Sequence, residues 1–152
     1  MITKEASIRT NCCKKQLFFD SARRGFEYLL KKIMIDDSSV ILMPGYIGES
    51  IREGSGVFDP IRHTKVRYMF YRLNEDLSVD MSDFRAKIKT PNVKAVLLIH
   101  YFGFPQAKVC EIAELCNNNG IILIEDCAHT FTSSFCGQRL GEFGDFSFFS
   151  DK

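Results

Sequence analysis

Apolar residues in this chain fall into two rhythms, unbroken runs and positions spaced at helical period. The runs are VILM at 40–43, VRYMFYRL at 66–73, KAVLLIHY at 94–101, IILI at 121–124 and FSFF at 146–149. Short apolar runs rich in branched and aromatic residues predict buried strands. Between them, Phe26, Leu29, Leu30 and Ile33 predict a helix over 21–35, with Ser21 or Asp20 as its cap. A second helix is expected over 81–88 with Ser82 as cap. A third, over 107–116, carries Val109, Ile112, Ala113 and Cys116 on one face and ends at the Asn-Asn-Asn-Gly of 117–120. A short helix is also expected over 47–52, after the Pro44-Gly45 stop. Residues 74–80 and 102–105 read as turns, and the polar stretch 1–16 as an arm.

Strands that are apolar throughout and alternate with helices need cover on both faces. That predicts an α/β fold with three layers, a mostly parallel sheet between helices, over 17–152. Right-handed crossovers place the carboxyl ends of all such strands on one edge. The polar residues Tyr46, His100, Asp126, His129 and Lys152 all fall at or just beyond those ends. A ligand site is expected there.

Composition narrows the partners. The 152 residues suit one domain, and the net charge of +1 leaves no basic footprint for nucleic acid. No apolar stretch approaches the roughly 20 residues of a membrane span. The first 15 residues lack the apolar core of a signal peptide, so a cytoplasmic location is expected. None of the six cysteines forms a CxxC pair, which argues for reduced thiols and no metal site.

The edge residues suggest a chemistry. Ser21 precedes a helix whose first N–H groups can hold an anion. Ser147 lies in the last strand, Asp126 brings a carboxylate and Lys152 an amine. Together they suit a phosphorylated pyridine aldehyde. Each also has a plainer role: Ser21 as a cap, Asp126 as a cap or ion-pair partner, His129 as a polar contact, Lys152 as a solvated charge. A dinucleotide-binding alternative requires a GxGxxG turn, which the chain lacks.

The string IEDCAHTFTSSFCGQRLGEFGDFSFFSDK at 124–152 resembles the signature of the DegT/StrS-type sugar aminotransferases, pyridoxal-phosphate enzymes of fold type I. Asp20-Ser21-Ala22-Arg23 is similar to the family's phosphate turn, Met43-Pro44-Gly45-Tyr46 to its Pro-Ser-Tyr, and His100-Tyr101-Phe102-Gly103 to its His-x-x-Gly. The resemblance implies that Asp126 pairs with the pyridine nitrogen and that His129 lies near the ring hydroxyl. It implies that Ser147, Ser21 and Ala22 bind the phosphate of pyridoxal 5'-phosphate. Lys152, or a lysine just beyond it, would form the Schiff base. Gly48 stands where members carry a stacking aromatic residue, which leaves Tyr46 to cover the ring. The implied reaction moves an amino group, usually from glutamate, to a nucleotide-linked keto-sugar, in a homodimer, for surface polysaccharides. Family members continue well beyond this length. The chain is therefore expected to be a fragment, inactive alone, with a phosphate-ligand or homologue-binding module as the alternative.

Overall fold

The computed structural model describes residues 15–34, 36–52 and 54–150. The arm expected over 1–16 lies almost wholly outside these residues, as does Lys152.

Helix α1 (Ala22–Ile33) starts at Ser21, whose hydroxyl accepts from Arg24 N, and buries Phe26 and Leu30. Strand β1 (Val40–Pro44) follows, then α2 (Phe58–Thr64), β2 (Arg67–Tyr71), α3 (Met81–Lys87) and β3 (Val93–Ile99). A 3-10 turn (Tyr101–Gly103) leads to α4 (Val109–Asn118) and β4 (Ile122–Cys127). A hairpin of β5 (Ser134–Phe135) and β6 (Gln138–Arg139) precedes β7 (Phe146–Phe149).

Five strands form one parallel sheet in the order β2-β1-β3-β4-β7. Its two faces carry separate cores. Phe26, Leu30, Ile61, Ile41, Met43, Leu97 and Ile124 pack beneath α1 and α2. Phe84, Ile112, Cys116, Leu42, Val96, Leu98 and Leu123 pack beneath α3 and α4. Each fully buried side chain of this size contributes about 1.5–3 kcal/mol, so both helical layers are held by burial. The expected three-layer α/β fold is the one observed.

Two local expectations fail. Residues 46–49 are irregular and Ser50 bridges Gly54, so no helix forms over 47–52. The helix forms later, at Phe58, where Ser55 Oγ accepts from Phe58 N and Asp59 Oδ2 accepts from Ser55 N. Its Pro60 falls in the first turn, where no intrahelical N–H is needed. The cap of α3 is Asp80 rather than Ser82: its carboxylate accepts from Ser82 N at 3.0 Å and Asp83 N at 3.1 Å. An ionised oxygen beside the first N–H groups caps better than a hydroxyl inside the turn.

Strand order reverses between β1 and β3, since β1 leads to β2 on one side and β3 lies on the other. In open α/β sheets the crevice beyond such a reversal is where ligands bind. Helix α1 ends beside the start of β1, so its N-terminus lies at this same carboxyl edge. No helix among the described residues is long and apolar enough to cross a membrane.

Candidate active site

Three loops meet at the reversal point. After β1, Pro44-Gly45 turns the chain and leaves Tyr46 half exposed. After β3, the Tyr101 hydroxyl donates to the Tyr46 carbonyl at 2.6 Å, closing the gap between the two loops. Phe102 takes a left-handed conformation (φ 55), which a bulky residue adopts only under local constraint. Its neighbour Gly103 is pressed against the β4 loop: a Cβ there would sit 2.9 Å from the His129 carbonyl. Only glycine lets the β3 loop lie this close to the β4 loop, and Ser133 Oγ donates to the Gly103 carbonyl from the same side.

Asp126 lies on β4 opposite Ile99 of β3 and Phe148 of β7. Side chains alternate along a strand, so Asp126 shares the face of Ile124, the face covered by α1. Phe148 confirms the side, since its ring stacks on Phe26 of α1 at 5.0 Å. Asp126 is 7% exposed, and among the described residues its carboxylate accepts one hydrogen bond, from Ala128 N at 3.0 Å. Burial raises its pKa above the ordinary carboxylate value. The Ala128 amide pulls the other way, as positive charge on His129 or His100 would, and burial outweighs it. A buried carboxylate with one backbone donor is suited to a cationic N–H partner, which would restore what desolvation took away. Burial, then the Asp126 charge, pushes the Tyr101 phenol far above its usual range. Tyr101 is therefore a fixed neutral donor.

The remaining candidates fall in different places. Ser21 and Ala22 form the start of α1 at this edge, with the Ser21 hydroxyl occupied as the cap. His129 is exposed in the loop after β4. Ser147 is a register partner of Glu125, not of Asp126. Its hydroxyl lies beside Gly141, where an added Cβ would come within 3.1 Å of it. Ser147 thus faces away from Asp126. Gly48 has open space around it, and Tyr46 is one of the aromatic residues at that edge, beside Tyr101.

The family model for the DegT/DnrJ/EryC1/StrS aminotransferase family matches residues 57–152. The chain belongs to this family. It is 32% identical over 132 residues to GDP-perosamine synthase of Escherichia coli O157:H7, covering 78% of this chain and 36% of that one. It is 46% identical over 65 residues to dTDP-4-dehydro-2,3,6-trideoxy-D-glucose 4-aminotransferase of Saccharopolyspora spinosa, covering 43% of this chain and 17% of that one. In fold it is similar to Spr1654 of Streptococcus pneumoniae, solved in its PLP form. The TM-score is 0.73 at 16% identity, covering 86% of this chain and 35% of that one. The chain thus spans about a third of the length of these longest matches.

Members of the DegT/DnrJ/EryC1/StrS family depend on pyridoxal phosphate, and Asp126 fits that group: a protonated ring nitrogen is the cationic donor its carboxylate lacks. One further pair was not singled out as a unit from the sequence. Glu125 and His100 are both completely buried, with His100 Nε2 3.0 Å from Glu125 Oε2. Glu125 also accepts from Gly141 N at 2.9 Å and Gly144 N at 2.6 Å. Burial, the largest influence, pushes its pKa up, but the hydrogen bonds from His100, Gly144 and Gly141 together bring it below the ordinary value. Cys127 lies within 4.8 Å of these two groups.

Proposed function

We propose that this chain is the cofactor-binding portion of a pyridoxal-phosphate-dependent aminotransferase, within a longer protein. That protein moves an amino group from a donor such as glutamate to a nucleotide-linked keto-sugar, for amino-sugar or surface-polysaccharide biosynthesis. The observation that carries the reading is Asp126: a buried carboxylate, short of donors, on the face of the α1 N-terminus.

When bound, the cofactor supplies an electron sink for the bond-breaking at the substrate carbon. The chain's residues do the rest. Asp126 holds a proton on the ring nitrogen. The first turn of α1, at Ser21 and Ala22, binds the phosphate through backbone N–H groups and the positive end of the helix dipole. Tyr46 covers the ring and His129 meets its hydroxyl. Lys152 tethers the cofactor and carries the proton to and from the substrate carbon. Ser147 belongs to the phosphate set by its place in the family pattern, and its orientation toward Gly141 gives it the weakest support.

Exposed aromatics at the same edge, Phe102 at 71%, Phe104 at 74% and Phe131 at 63%, support a homodimer that covers them. A cytoplasmic location and an arm at 1–16 complete the proposal. The test is cofactor trapping. The chain is mixed with pyridoxal phosphate, reduced with borohydride and mapped by mass spectrometry. The reading expects one stoichiometric adduct, at Lys152. Scattered labelling of surface lysines would favour a phosphate-ligand or homologue-binding module without catalytic function.

A further inference from the structure

The His100–Glu125 pair admits one protonation pattern. Gln106 N donates to His100 Nδ1 at 3.2 Å, so that nitrogen carries no proton. The ring proton therefore sits on Nε2 and points at Glu125 Oε2. A protonated Glu125 would need a bare Nε2 and a protonated Nδ1, which would then meet the Gln106 N–H head on. An imidazolium fails for the same reason. Glu125 is thus ionised, and three neutral donors from two places in the chain converge on it: His100 after β3, and Gly141 and Gly144 in the loop before β7.

The chain of contacts extends from there. Gln106 Nε2 donates to the carbonyls of Ile99 and Leu77, which brings in the loop after β2. Gly141 and Gly144 lead into β7, the strand that ends just before Lys152. A Cβ on Gly144 would stand 2.7 Å from the Leu123 carbonyl, so this loop is pressed against β4 as well as bonded to it. We propose that the buried His100–Glu125 pair is the positioning unit of this edge, which fixes the loops after β2 and β3 and the loop before β7 to one ionised carboxylate. It lies on the face of β4 opposite Asp126. It touches no ligand and acts through the backbone it holds.

The test is amide hydrogen exchange by NMR on the full chain, comparing wild type with Glu125→Gln and His100→Asn. A glutamine turns an amide NH2 toward either the His100 and Gly141 donors or the Gly144 donor, so one side must open. An asparagine keeps an acceptor near Nδ1 and loses the donor to Glu125. The proposal expects Glu125→Gln to speed exchange by at least about tenfold on the side that meets the NH2, either at Gly144 or at Gly141 together with Gln106 across the pair. It expects His100→Asn to speed exchange at Gly141 and Gly144 while Gln106 keeps most of its protection. If Gly141 opens in Glu125→Gln while Gln106 stays within about twofold of wild type, or if His100→Asn leaves Gly141 and Gly144 within about twofold, the loops are held separately and the proposal is overturned. A consequence that rests on the cofactor reading is weaker pyridoxal-phosphate binding in Glu125→Gln than in Ile112→Ala, a core variant on α4. Equal weakening overturns the positioning role. If the wild type takes no cofactor, the cofactor reading fails and the exchange result still decides the pair.

Discussion

Glu125 and Asp126 are neighbours in sequence and both are buried, yet the fold treats them oppositely. Glu125 receives three hydrogen bonds and its pKa falls; Asp126 receives one and its pKa rises. One carboxylate is solvated by the protein and holds loops together. The other is left with an unmet demand for a positive partner. Burial alone does not mark a functional acid; the donor count does.

The largest expected difference is in stability. Glu125→Ala leaves His100 and two backbone amides as buried donors without their acceptor inside the protein, and should cost about 3–5 kcal/mol in urea denaturation. Asp126→Asn removes a charge the fold poorly accommodates, and should change stability by about 1 kcal/mol or less, toward greater stability. A large loss in Asp126→Asn would erase the contrast between the two.

The two acids should also part company with pH. Asp126 has a raised folded pKa, so its ionisation costs stability above its unfolded value of about 3.8. Asp126→Asn should therefore exceed wild type at pH 7, with the gap closing as pH falls through the folded pKa. Glu125 has a lowered folded pKa, so its contribution is present above about 4.5 and lost as pH falls through the folded value. The gap between wild type and Glu125→Gln should shrink on acidification. Thermal unfolding of all three proteins across pH 3–7 gives both curves.

Much of the sheet was legible because continuous apolar runs have few other uses. Four strands of the main sheet were read to within about two residues, and the fifth, read over 121–124, runs on to Cys127, because the polar Glu125 and Asp126 hide its last turn of pairing. Helix α2 was not legible, because its start depends on Ser55 and Asp59 serving each other's backbone and because Pro60 disguises its first turn. That Tyr46, His100, Asp126 and His129 fall at or just past strand ends was legible. The division between Glu125 and Asp126 was not. It depends on register with β3 and β7, and on donors 16 and 19 residues away. The same register turns Ser147 from Asp126, which no local pattern could reveal. Lys152, expected to tether the cofactor, lies outside the described residues.

The smallest expected effect belongs to Ser147. With its hydroxyl against Gly141, Ser147→Ala should weaken pyridoxal-phosphate binding by about threefold or less, under 1 kcal/mol. A loss beyond about tenfold in equilibrium titration would place the Ser147 hydroxyl on the phosphate and contradict its assigned face.

The most direct measurement is a pyridoxal-phosphate titration of wild type and Asp126→Asn at pH 7, read by visible absorbance, with urea unfolding on the same samples. The account predicts that Asp126→Asn is at least as stable as wild type and binds the cofactor weaker by about thirtyfold or more. An Asp126→Asn protein that binds as wild type does, or that loses binding only because it has lost its fold, would contradict it.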